Sequence, residues 1–223
     1  VEIAGQLYAT GGSAGTAGNG GTISITGATG LTSTLSADAS GAGSSGTGSV
    51  GGNITLQATG GGATLSHTGW LIVNGGPGSA TGGQGGAITL TALGNITVSG
   101  GLYGSGGIAA SRTGGAGGTV NIQATTNGAV TNTAIVEANG GESSERSSAS
   151  GGAGGTVEIS SEDGAVTNNG AANAVGGFSY RASGGNGGTV NIISDADNDS
   201  TGGNVNNGGS SSVDGGAGVN GGN

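Results

Sequence analysis

The sequence predicts an all-β fold, a parallel β-solenoid of about seven coils with Gly-rich excursions between coils. Three observations predict it: a short phrase that recurs along the chain, an apolar–polar alternation inside it, and a Gly-rich stretch before each recurrence. The phrase reads GNGGTISI at 18–25, VGGNITL at 50–56, GGQGGAITL at 82–90, GGAGGTVNI at 114–122, GGAGGTVEI at 151–159 and GGNGGTVNI at 184–192. Val1-Glu2-Ile3 matches its end. Taking the first apolar residue as a marker gives Val1, Ile23, Ile54, Ile88, Val120, Val157 and Val190, spaced 22, 31, 34, 32, 37 and 33 residues apart. Residues 1–194 are therefore read as solenoid repeats, and 195–223 as an acidic, Gly-rich terminal segment forming a last coil or an inter-subunit extension.

Each unit has the same order of parts. A short alternating strand, such as Val120-Asn121-Ile122-Gln123-Ala124, comes first. A turn such as Asn127-Gly128 or Asp163-Gly164 follows, built from residues that tolerate positive φ. A second strand comes next, as at Ala63-Thr64-Leu65, Ile96-Thr97-Val98, Ala129-Val130 or Ala165-Val166. A third apolar patch is clearest at Leu71-Ile72-Val73 and Ala134-Ile135-Val136. Stacked at about 4.8 Å per coil, seven coils would make a rod of roughly 30–35 Å. Inward Val, Ile and Leu would form ladders, and the outward middle position would carry Glu2, Ser24, Thr55, Thr89, Asn121, Glu158 and Asn191, with no two acids adjacent.

Composition narrows the function classes. The 223 residues include 60 Gly, five aromatics, no Cys, three Arg, no Lys and 12 acids, for a net charge of −9. So few large apolar residues exclude a conventional globular core. Collagen is excluded because Gly is not strictly every third residue and Pro occurs once. Three scattered Arg cannot make a nucleic-acid footprint, and no apolar run is long enough for a membrane span. Low-complexity disorder is the competing reading, and it gives no reason for apolar residues to return in phase. The start at Val1 fits a removed leader or a piece of a longer chain.

Gly recurs at every third position in the connecting stretches, as at Gly12, Gly15, Gly18 and Gly21, and at Gly215, Gly218 and Gly221. A three-residue period matches a polyproline II-like layer packed beside the coils; flexible loops whose Gly avoid clashes are the alternative. Arg112, Arg146 and Arg181 all fall in these stretches and define a loose column, with Glu142 and Glu145 as partners or a solvated face.

Little in the sequence carries chemistry, and the chain is not expected to be an enzyme. His67 is the only His and has no acid nearby in sequence. The one acidic cluster places Asp195, Asp197 and Asp199 at alternate positions, like the start of a calcium loop, although Ser200 and Asn206 stand where Gly and Glu belong. Calcium is the single cofactor the sequence points to. Outward Thr and Ser in the early units invite an ice-binding reading, which fades as the middle position becomes Asn121, Glu158 and Asn191. Trp70, Tyr103, Phe178 and Tyr180 are the natural sugar-stacking residues if they share a face.

The GGTVNIQA and GNITV phrases resemble the β-helical stalks of large secreted bacterial adhesins, of the filamentous-haemagglutinin and autotransporter-passenger type, over Val1 to about Ser194. The resemblance implies an extracellular or cell-surface structural protein: a subunit or stalk segment of a filament, adhesin or matrix fibre. The unblunted β-edge at Val1-Glu2-Ile3 adds an expectation of homo-oligomers stacked end to end. The alternative is a solenoid that binds glycan, calcium or ice on one flat face, with surface glycans as partners.

Overall fold

A computed structural model describes residues 1–13, 17–144, 148–198 and 202–218. The chain is a parallel β-solenoid. Its first sheet holds the recurring phrase: β3 (Thr22–Gly27), β6 (Asn53–Ala58), β9 (Ala87–Ala92), β12 (Thr119–Ala124), β15 (Thr156–Ser161) and β18 (Thr189–Ile193). The second holds β1 (Glu2–Ile3), β4 (Leu31–Ser33), β7 (Leu65–His67), β10 (Ile96–Val98), β13 (Val130–Asn132), β16 (Val166–Asn168) and β19 (Val205–Asn207). The third holds β2 (Gln6–Tyr8), β5 (Ser36–Asp38), β8 (Leu71–Ile72), β11 (Leu102–Tyr103), β14 (Val136–Glu137), β17 (Ala172–Asn173) and β20 (Ser211–Ser212). Every pairing is parallel and joins a strand to its equivalent one repeat later.

Register follows from the alternation. In the first sheet Ile23, Ile54, Ile88, Val120, Val157 and Val190 are directly paired, as are Ser24, Thr55, Thr89, Asn121, Glu158 and Asn191 on the outer face. A one-residue slip would turn every Ile and Val outward, which fixes the pairing. Ile54, Ile88, Val120 and Val157 are fully buried, each worth about 1.5–3 kcal/mol of transfer free energy. The stack thus obtains its core from side chains one above another instead of from a few large aromatics.

One inward position of the second sheet is largely polar: Ser33 and His67 occupy it, then Val98, then Asn132 and Asn168, all buried. Asn132 Nδ2 donates to Asn168 Oδ1 at 2.7 Å, and Asn168 Nδ2 to Asn207 Oδ1 at 2.9 Å. Repetition at the strand spacing lets each amide satisfy the next, so burial costs little.

Two expectations are corrected. Val1-Glu2-Ile3 does not belong with the markers: Glu2 pairs with Thr32 and Ile3 with Ser33, placing the segment in the second sheet. A bare V-x-I phrase fits either slot, and the misplacement accounts for the short first spacing of 22 residues. Glu2 consequently leaves the outward ladder of the first sheet. Second, the left-handed residue in the fifth-repeat turn is Thr126 (φ 61°), not Asn127 or Gly128. Its hydroxyl donates to Leu93 O and its N–H to Glu162 Oε2, both at 2.6 Å, which holds a β-branched residue in that region. In the terminal segment, β19 and β20 extend the second and third sheets.

The Gly-rich stretches hydrogen-bond to each other through the backbone. Gly76 N–H donates to Ser49 O, Gly83 to Gly76, Gly107 to Gly83, Gly115 to Gly107, Gly141 to Gly115 and Gly152 to Gly141, all at 2.7–2.9 Å. Outgoing and returning limbs alternate along this series, so it runs from one repeat to the next. A Cβ on Gly107 would overlap the carbonyl oxygen of Gly76, and one on Gly115 that of Gly83. The absence of a side chain is what lets the limbs meet.

Candidate functional site

The outward positions of the third sheet form two columns. One runs Tyr8, Asp38, Ile72, Tyr103, Glu137, Asn173 and Ser212 in direct register. Beside it stand Gln6 and Ser36, then Trp70, Gly101 and Ile135 just before their strands. Between the first and third repeats of this face lies a trough of about 400 Å³ lined by Gln6, Tyr8, Ser36, Asp38, Trp70 and Ile72. Tyr8 is 68% and Trp70 61% exposed, in a chain with five aromatics in all. Their strands are two spacings apart, about 9.5 Å.

Local bonds set the polar floor. Tyr8 Oη donates to Gln6 Oε1 at 2.8 Å, which turns the Gln6 amide nitrogen into the remaining donor. Ser40 N–H donates to Asp38 Oδ1 at 2.8 Å, leaving Oδ2 as an acceptor. Trp70 N–H donates to Ser36 Oγ at 3.3 Å. Next along the sheet, the ring of Tyr103 lies over Gly101, where a Cβ would strike it. The trough is therefore a shallow concavity with aromatic walls and a hydroxyl, an amide and a carboxylate between them.

The residues singled out in the sequence are distributed as follows. Trp70 and Tyr103 do share a face, and Tyr8 joins them. Phe178 and Tyr180 lie elsewhere, in edge-on contact (centroids 4.6 Å, 86°) beside Ser179 in the Gly-rich excursion. His67 is fully buried in the second sheet, Nδ1 3.3 Å from Ser33 Oγ, with Nε2 lacking a hydrogen-bond partner. Burial, the largest cause, lowers its pKa from 6.5 to about 4, so the imidazole is neutral and out of reach of any substrate. Asp195 and Asp197 follow β18 in a turn, and Asp199 lies outside the described residues; among the described residues no group of three or more His, Asp or Glu is placed to hold a metal. Arg112 and Arg181 are exposed in the excursions, and Arg146 and Glu145 lie outside the described residues.

Asp38, Gln6 and Tyr8 were missed as site residues because their third-sheet strands are two or three residues long, too short for alternation to distinguish inside from outside. Comparison with protein-family models, curated proteins and solved structures finds no match.

Proposed function

We propose that the protein is a structural, non-enzymatic component of the cell exterior: a subunit or stalk segment of a surface filament, adhesin or matrix fibre. The observation that carries this reading is that every sheet is built by laying a strand on its equivalent one repeat away in the same register, so the stack can be extended by further turns of the same kind. Val205 is 47% exposed whereas Val166 and Val130, below it in the same ladder, are fully buried. Val1 and Leu7 at the other end are 59% and 41% exposed. Among the described residues, β1, β2, β19 and β20 are paired on one side only, and these apolar residues stand where a further turn, of this chain or of another copy, would cover them.

A second copy supplies that turn. With β1 and β2 of one copy laid on β19 and β20 of the next, the second and third sheets run on without interruption. The first sheet, with six strands against seven, carries one open strand position at each joint. Such a head-to-tail contact does not close on itself, so it propagates a filament. The Gly-rich limbs, which we read as a polyproline II-type layer, stiffen it along one side. The exterior location rests on the resemblance of the GGTVNIQA and GNITV phrases to the stalks of secreted adhesins. Electron microscopy of the purified chain at rising concentration tests the proposal. Long fibres with an axial repeat of about 33 Å, seven strand spacings, are expected; dispersed rods one chain long at every concentration would reject self-assembly.

A further inference from the structure

We propose that the trough on the outer face of the third sheet binds a neutral saccharide, with Tyr8 and Trp70 as its walls and Asp38, Ser36 and Gln6 as its hydrogen-bonding floor. This inference does not require the filament: the trough opens on the side of the rod, and its Gln6 and Tyr8 stand on β2, the strand that a neighbouring copy would meet at a joint.

The first argument is that Trp70 and Tyr8 stand outside the aliphatic core, largely exposed on the outer face of the third sheet. The core consists of aliphatic ladders, yet the largest side chain in the protein projects into solvent from a position whose neighbours along the sheet are Ser36 and Gly101. Large exposed apolar groups clustered on one face mark a binding surface. Ile72 and the ring of Tyr103 extend the same surface along the rod.

The second argument is the match of chemistry. A pyranose presents C–H groups on its faces and hydroxyls round its rim. Tyr8 and Trp70 stand in neighbouring columns on strands two spacings, about 9.5 Å, apart, and the trough between them offers a carboxylate acceptor, a hydroxyl and an amide donor for the rim. The volume of about 400 Å³ lies within the range of small-ligand sites. Charge chooses among saccharides: with Asp38 in the trough and −9 on the chain, a polyanionic glycan is repelled. Nothing in the trough encloses a ligand on all sides, so it suits an extended chain entering along the sheet better than a caged cation.

Trp70 is the only tryptophan, so its fluorescence reports the site directly. The intact chain is titrated separately with cellohexaose, maltohexaose, chitohexaose and mannohexaose, and with alginate, choline and a proline-rich decapeptide as contrasts. Saturable change with at least one neutral hexasaccharide is expected. By isothermal calorimetry, Trp70→Ala should weaken that binding at least about tenfold, as loss of an aromatic anchor does. Asp38→Asn should weaken it several-fold, with circular dichroism unchanged in both variants. No saturable response to any of the four hexasaccharides overturns the proposal, as does saturation by alginate, choline or the peptide alone. Binding that survives Trp70→Ala unchanged would place the saccharide elsewhere and equally overturn it.

Discussion

Leu102 and Gly107 stand in the same turn of the rod, and each is essential to stacking for the opposite reason. Leu102 pairs with Leu71 below and Val136 above, and its buried side chain fills the interior. Gly107 donates to Gly83 O and lies so close to Gly76 that a single added carbon would overlap it. The three sheets cohere by burying side chains, and the Gly-rich wall by having none. A side-chain core tolerates exchange of one shape for another at modest cost. A backbone-to-backbone contact has no slack, since neither limb can re-rotamer out of the way.

The contrast can be broken at several points. Gly107→Val should have the largest effect, about 4 kcal/mol, at the upper end for single substitutions, seen as a lower denaturation midpoint. Leu102→Ala should cost about 3 kcal/mol by cavity formation. If Gly107→Val proved milder than Leu102→Ala, the two walls would not be equally close-packed.

His67 provides an intermediate effect. Its pKa in the fold, about 4, is below its ordinary 6.5, so folding favours the neutral ring. The associated stability is complete above about pH 6.5 and is lost as pH falls toward about 4. Between about pH 7.5 and about pH 5 the loss should be about 2 kcal/mol. His67→Val adopts the residue found at the equivalent Val98 position and removes the unpartnered Nε2. Its unfolding midpoint should fall less over that pH interval than the parent's, and parallel slopes would show that His67 is not the titrating group.

The smallest effect is expected at Gly61→Ala, where a Cβ meets nothing within 4 Å. Its stability should stay within about 0.5 kcal/mol of the parent.

Where strands are five or six residues long, the sequence was sufficient: the order Ser24, Thr55, Thr89, Asn121, Glu158, Asn191 is the observed outer column of the first sheet. Alternation over five or six positions leaves one burial phase. Val1-Glu2-Ile3 was misassigned because three residues fit two slots. The trough was hidden for a related reason. Tyr8, Asp38 and Trp70 are 30 or more residues apart in sequence and meet only once the register of the third sheet is known. The glycine period was visible, but no side chain recorded which limb would donate to which.

The most direct test of a rod with two equally ordered walls is hydrogen–deuterium exchange at individual amides. Gly76, Gly83, Gly107, Gly115, Gly141 and Gly152 should be protected to about the same degree as the amides of β9 and β12. Rapid exchange at those glycines beside slow exchange in the strands would contradict the account, reducing the glycine wall to loops carried by a three-sheet core.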